Sequence, residues 1–190
     1  MSNGVRVERS DSTIVIKFVR PELRNPLSLS VLDEMDHALD LAKISGAERI
    51  IFTGTGNIFA SGADLREINA VEPERVRGFA ARGQRLMERI EQCPLTTTAL
   101  INGACYGGAL DLALSCEQRI AVAEATFCHP GTGLGIITGW GGTQRLPRLV
   151  GQANALRMFF TASPISASEA LRIGLIDAIT EDLASCILKS

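Results

Sequence analysis

Residues 102–111 read N-G-A-C-Y-G-G-A-L-D. An apolar, β-favouring run, residues 96–101, leads into this stretch, and a helix of small and apolar residues, 109–115, leads out. Glycines stand at 103, 107 and 108. Two adjacent glycines let the backbone approach another group closely, because no Cβ stands in the way. At a helix start the first N–H groups are free, and the helix dipole is positive there. A strand-to-helix turn of this composition therefore suits an oxygen anion. It suits tight packing equally well. Asp111 follows Gly108 by about one helical turn, so its carboxylate can flank the same spot.

Composition narrows the possibilities around that turn. A chain of 190 residues fits one domain, 1–190, and 46% hydrophobic residues are enough for a sizeable core. With 19 basic and 21 acidic side chains the net charge is −2, which gives no electrostatic footprint for nucleic acid. No apolar run is long enough to span a membrane, and the N-terminus lacks the apolar stretch of a signal peptide. The five cysteines form no C-x-x-C pair and read as reduced, mostly buried thiols of a cytoplasmic protein, with no metal site.

Alternation over 5–9 and 13–19, around Ser10-Asp11-Ser12, predicts a β-hairpin. Residues 21–26 read as a loop. Ser28 or Ser30 caps a helix reaching Ile44, and Gly46 ends it. A short strand, 49–53, and a turn, 54–57, follow. Residues 58–68, I-F-A-S-G-A-D-L-R-E-I, carry a second strand-to-helix junction at Gly62, with the helix starting near Ala63 or Asp64. Asp64 suits the positive end of that helix. A long helix over 72–92 enters through Pro73 and stops at Cys93-Pro94. Short strands are expected at 118–123 and 126–128.

Residues 130–142, P-G-T-G-L-G-I-I-T-G-W-G-G, form a long glycine-rich loop. It matches neither the P-loop nor the dinucleotide fingerprint. Helices are expected over 143–150, interrupted by Pro147, over 152–161, and over 166–173, the last opened by the capping box Ser166-x-x-Glu169. A last strand covers 175–179, and the remaining residues are weakly patterned. Strands alternating with helices indicate an α/β fold.

Five stretches in register resemble the enoyl-CoA hydratase/isomerase (crotonase) family. They are R-N-P-L-S at 24–28, F-A-S-G-A-D-L-R-E at 59–67 and I-N-G-A-C-Y-G-G-A-L-D-L-A at 101–113, then G-W-G-G-T-Q-R-L-P-R-L-V-G at 139–151 and A-S-E-A-L-R-I-G-L-I-D at 167–177. The resemblance implies a spiral of ββα units in two nearly perpendicular sheets with helices outside. It also implies assembly as homotrimers or hexamers. The family's shared device is a pair of backbone N–H donors that hold the oxygen of a thioester enolate. By position these fall on Ala63 and Gly108. Residues 63–66 (Ala63, Asp64, Leu65, Arg66) would line the acyl-CoA channel, and Arg24 and Arg66 could meet CoA phosphates. Coenzyme A is then part of the substrate, and no separate cofactor is implied.

The sequence departs from the family's hydratases at their two glutamates. The first position is Asp111, shorter by one methylene, and the second is Gly131 in F-C-H-P-G. Asp111 is thus the only candidate acid/base at a family catalytic position. His129 adjoins the lost glutamate and is a plausible proton carrier, though a structural imidazole is the expected role. Thr132, Thr138 and Trp140 could shape an acyl pocket, with Trp140 read as core. The helical cover that usually follows the last strand is expected to be short or absent. An acyl-CoA enzyme of hydratase or isomerase type is the leading reading. The alternatives are an idle acyl-CoA-binding paralogue, or a related thioester hydrolysis or decarboxylation.

Overall fold

The computed structural model describes residues 4–188. The chain opens with an antiparallel hairpin, β1 (Val5–Ser10) and β2 (Thr13–Phe18). After β3 (Pro26–Leu27) comes α1 (Leu29–Ile44), capped by the Ser28 side chain, which accepts from Val31 N. Three strand–strand–helix units follow. The first holds β4 (Arg49–Thr53), β5 (Ile58–Ala60), the short β6 (Gly62–Ala63), α2 (Leu65–Ala70) and α3 (Val76–Glu91). The second holds β7 (Thr96–Ile101), β8 (Ala104–Tyr106) and α4 (Gly108–Ser115). The third holds β9 (Gln118–Ala121), β10 (Thr126–Cys128), α5 (Gly142–Val150) and α6 (Gln152–Thr161). β11 (Ile165–Ser166), α7 (Ala167–Arg172), β12 (Ala178–Ile179) and α8 (Leu183–Leu188) complete the described chain.

Each unit gives its first strand to one sheet and its second to another. The larger sheet runs β1-β2-β4-β7-β9-β12, parallel from β2 onward. The smaller runs β11-β10-β8-β5, with β5, β8 and β10 parallel. The expected α/β spiral is therefore what the chain adopts. Strand alternation decides where its cores lie. Ile14, Ile16, Phe18, Ile50, Phe52, Ala99 and Ile101 face the main core between sheets and helices. Val15, Ile51 and Leu100 face the opposite side, where Leu183, Cys186 and Ile187 of α8 pack on them. Phe18 and Phe59, from the two different sheets, meet edge to face with ring centroids 5.6 Å apart, an arrangement worth about 1 kcal/mol beyond its burial.

Several local expectations are corrected. The turn 102–111 contains β8, because Ala104–Tyr106 pair with both β5 and β10. The helix over 72–92 starts as a 3₁₀ turn, Pro73–Arg75, and becomes α-helical only at Val76. Pro147 does not break α5. Nor is the glycine-rich stretch wholly irregular, since Pro130–Leu134 coil into a 3₁₀ turn. The last strand shrinks to two residues, with Leu175 and Ile176 buried in the connection before it. The weakly patterned tail holds α8, started by Asp182 Oδ1, which accepts from Ala184 N and Ser185 N.

Two asparagines fix the segment that carries β5 and β6. Asn25 is buried and left-handed (φ 48°), a conformation Asn tolerates. Its Nδ2 donates to Ile58 O and Phe59 O at 3.0 and 3.1 Å, and its Oδ1 accepts from Arg20 N at 2.7 Å. Asn102 Oδ1 accepts from Gly54 N at 2.9 Å, and its Nδ2 donates to Gly56 O and Ile58 O. Asp at either position keeps the shape and backbone conformation but loses both donations. Asn25→Asp and Asn102→Asp should each lower unfolding free energy by about 1–3 kcal/mol in urea titrations. Unchanged midpoints would show that the amides are dispensable.

Candidate active site

Three parallel strands, β5, β8 and β10, lie side by side, so the turns leaving their C-terminal ends cluster at one edge. Crevices at the carboxyl ends of parallel strands are where α/β proteins place their ligands. Here the three turns are 61–64, 107–108 and 129–131. They meet because glycine permits it. A Cβ on Gly62 would fall 2.7 Å from both Gly108 N and Tyr106 O. A Cβ on Gly108 would fall 3.2 Å from Ala63 N and 2.6 Å from the Trp140 ring. Gly62 (φ 91°) and Gly107 (φ 55°) also hold backbone conformations closed to most side chains. The amides of Ala63 and Gly108 are thereby neighbours. Gly108 opens α4, so its N–H has no acceptor within the helix.

Around this contact lies a cavity of about 250 Å³. Its polar end holds Ala63, Gly107, Gly108, Asp111, His129 and Gly131, and the rest of the wall is mainly apolar, with Ile68, Phe79, Leu134, Ile136, Ile137 and Trp140. Of the residues expected to form a site, Ala63, Leu65, Gly108, Asp111 and Gly131 all line it. Arg24, Asp64 and Arg66 do not. Asp64 instead caps α2 by accepting from Arg66 N, and its carboxylate pairs with the Arg66 guanidinium at 2.6 Å. Its pKa is lowered, chiefly by the Arg66 side-chain hydrogen bond. Arg66 is 73% exposed beyond that pair. Arg24 is exposed, and its carbonyl accepts from Ser61 N, itself a cavity residue.

Asp111 is fully buried, in the first turn of α4. Its Oδ2 accepts from the Thr138 hydroxyl and from Trp140 N at 3.1 Å. The second half of the glycine-rich stretch therefore folds over this carboxylate. Gly142 is required there, because a Cβ would strike Asp111 Oδ1. Trp140 is both core and cavity wall, as it packs where Gly83 and Gly108 lack side chains. Burial raises the Asp111 pKa to about 6, against the pull of the Thr138 hydroxyl and the Trp140 and Gly142 amides.

His129 follows β10 and is 2% exposed, with its ring centroid 5.1 Å from that of Phe159. Burial lowers its pKa to about 4, so the imidazole is neutral near pH 7. Its Nε2 lies 3.7 Å from Asp111 Oδ1. Gly131 has a steric reason to lack a side chain. A Cβ on Gly131 would fall 2.8 Å from Ile136 O, because Ile136 N closes the turn onto Gly131 O. Thr132 turns away and donates to Phe159 O. Nothing in the sequence marked Thr138 as the partner of Asp111, because their contact spans 27 residues of irregular chain. Among the described residues no cluster of His, Cys, Asp or Glu could hold a metal ion, and no helix is long and apolar enough to cross a membrane.

Known proteins are similar to this chain along nearly its whole length. The model of the enoyl-CoA hydratase/isomerase family matches residues 8–185. A probable enoyl-CoA hydratase of Bacillus subtilis (strain 168) is 40% identical over 182 residues, 95% of this chain and 70% of the relative. A short-chain-enoyl-CoA hydratase of Clostridium acetobutylicum is 39% identical over 181 residues, 94% of this chain and 69% of the relative. The crystal structure of an enoyl-CoA hydratase from Thermoplasma volcanium superposes with a TM-score of 0.93 at 31% identity, covering 97% of this chain and 75% of that one. By sequence along its length and by fold, the chain belongs to the enoyl-CoA hydratase/isomerase family.

Proposed function

We propose that the protein is an acyl-CoA enzyme of hydratase or isomerase type, acting through a thioester enolate. The observation that carries this reading is the adjacency of the Ala63 and Gly108 amides at the polar end of an otherwise apolar cavity. A proton α to a thioester is a poor acid. Two N–H donors aimed at the thioester oxygen stabilise it as negative charge develops, and a single donor of this kind is worth about 3–4 kcal/mol of barrier. The gap at Gly62 and Gly108 lets the donors converge. The positive end of α4 adds to the field.

Asp111 is the acid/base in this reading. Its carboxyl group lines the same cavity, one turn along α4 from the Gly108 donor. A carboxylate with a pKa near 6 can both take and return a proton around neutrality. The apolar wall receives the acyl chain and keeps water from the charged intermediate. Arg24 and Arg66 serve the CoA phosphates. Arg66 directly follows the cavity residue Leu65, and the Arg24 carbonyl accepts from Ser61 N, which supports this assignment. Assembly as a homotrimer or hexamer belongs to the same reading, as does a single domain over 1–190.

The test is loss of conjugated thioester absorbance with a short 2-enoyl-CoA, together with exchange of α-protons of a saturated acyl-CoA with deuterated water. At least one should be catalysed, and Asp111→Asn should lower it by 100-fold or more. Tight acyl-CoA binding with neither reaction would make the protein a binder and overturn the proposal. For α-proton removal the working form of Asp111 is ionised. The rate should therefore rise through about pH 6 and then level, and a flat profile below pH 6 would contradict the role.

Stability gives an independent check. The folded Asp111 pKa lies above its ordinary value of 3.8, so ionisation is harder in the folded state. The resulting stabilisation is full below about pH 4 and lost as pH rises through about 6. Asp111→Asn removes that loss and should raise unfolding free energy at pH 8 by about 1–3 kcal/mol. A less stable variant would show the carboxylate to be structural.

A further inference from the structure

Four buried side-chain polar atoms among the described residues lack a well-formed protein hydrogen bond, and three of them lie together in the cavity: His129 Nδ1, His129 Nε2 and Asp111 Oδ1, which has the Gly142 amide beside it. Leaving buried polar atoms without good partners is costly, so such a concentration marks a place built to receive something polar. Asp111 Oδ1 and His129 Nε2 are 3.7 Å apart. That is too long for a direct hydrogen bond. It is short enough for one water oxygen to lie within hydrogen-bond reach of both. The imidazole is held in place from β10 and by the Phe159 ring. The carboxylate is held through its other oxygen by Thr138 and Trp140. Both groups are fixed before any ligand arrives.

We infer that Asp111 Oδ1 and His129 Nε2 together grip the water that adds to a 2-enoyl thioester, which makes His129 a catalytic residue for hydration. The inference rests on the enolate reading above and selects hydration within it. Syn addition needs two groups on one water, and the glutamate position that would supply the second is Gly131. His129 fills that need from two residues upstream.

The step balances without another reactant. The water oxygen bonds to C3 as one of its protons passes to Asp111 Oδ1. The C2=C3 π pair moves toward the thioester oxygen, beside the Ala63 and Gly108 amides. That pair then returns to C2 and takes the proton back from Asp111, so H and OH have been added and both side chains are restored. Nε2 of the neutral imidazole, in the tautomer protonated at Nδ1, accepts the hydrogen bond of the second water hydrogen, which remains on the new hydroxyl. Burial keeps this imidazole neutral and hence an acceptor.

The experiment compares two reactions of the full chain. One is hydration of a four-carbon 2-enoyl-CoA. The other is α-proton exchange of the saturated four-carbon thioester, which needs the enolate site and Asp111 but no gripped water. His129→Phe should lower the hydration kcat by about 100-fold or more and change exchange by less than about threefold. His129→Gln keeps an acceptor and should hydrate within about tenfold of the natural protein. Circular dichroism confirms folding, and His129→Leu replaces the Phe variant should the larger ring unfold the chain. The inference is overturned by unchanged hydration in the apolar variants. It is also overturned by parallel loss of both reactions in a folded variant, by a folded Gln variant as inactive as the Phe one, or by natural protein that exchanges but never hydrates. Natural protein that does neither would instead remove the enolate reading itself.

Discussion

Two missing methyl-sized groups, the Cβ atoms of Gly62 and Gly108, hold the geometry together. The turns leaving β5 and β8 are brought side by side by the parallel pairing of those strands. They close to contact only because each puts a glycine where the other's backbone must pass. Any side chain at Gly62 would push away the amide of Gly108, and any at Gly108 would crowd Ala63 N and the indole of Trp140. The indole in turn fills the space that Gly83 leaves on α3, and the Trp140 backbone N–H donates to Asp111 Oδ2. The backbone contact, the aromatic wall and the orientation of the buried carboxylate are thus one packing problem with one solution.

That solution carries an electrostatic load. Asp111 and His129 are both buried, and burial disfavours the charged form of each. Their effects on stability run in opposite directions. Asp111 costs the fold stability as pH rises through about 6. His129 costs it as pH falls from about 6.5 through about 4. Between those limits both groups are mostly neutral in the folded protein. Near pH 7 the fold therefore carries a buried, ionised carboxylate in the wall of a mainly apolar cavity. A protein selected for stability alone has no use for that arrangement, whereas proton transfer does.

Much of this was legible in the residues. The glycine pair at 107–108 and the lone Gly62 announced both strand-to-helix junctions, because only those positions combined small residues with a change of period. Asp64 reads as a helix-end residue, and its side chain does cap α2. What sequence could not give was contact across chain distance. β8 is three residues long and owes its form to two neighbouring strands, not to its own pattern. The fold of residues 138–142 over Asp111 depends on a hydroxyl, an amide and a missing Cβ, none with a periodic signature. α8 was readable in principle. Asp182 stands before Leu183, Cys186 and Ile187, an i, i+3, i+4 stripe behind a cap, but six residues are too few for the pattern to stand out. The sequence favours a structural imidazole at His129, and only its unpaired nitrogens beside Asp111 suggest another part.

In the proposed reaction the amides of residues 63 and 108 act together on one carbonyl oxygen of a CoA thioester. The most direct measurement is the infrared stretch of a ¹³C-labelled thioester carbonyl in a short 2-enoyl-CoA bound to the Asp111→Asn protein, where turnover does not obscure the bound state. Two converging donors predict a carbonyl frequency well below that of the same thioester in water. A bound carbonyl at or above its solution frequency would mean that nothing grips the oxygen and that the two amides do not have this role.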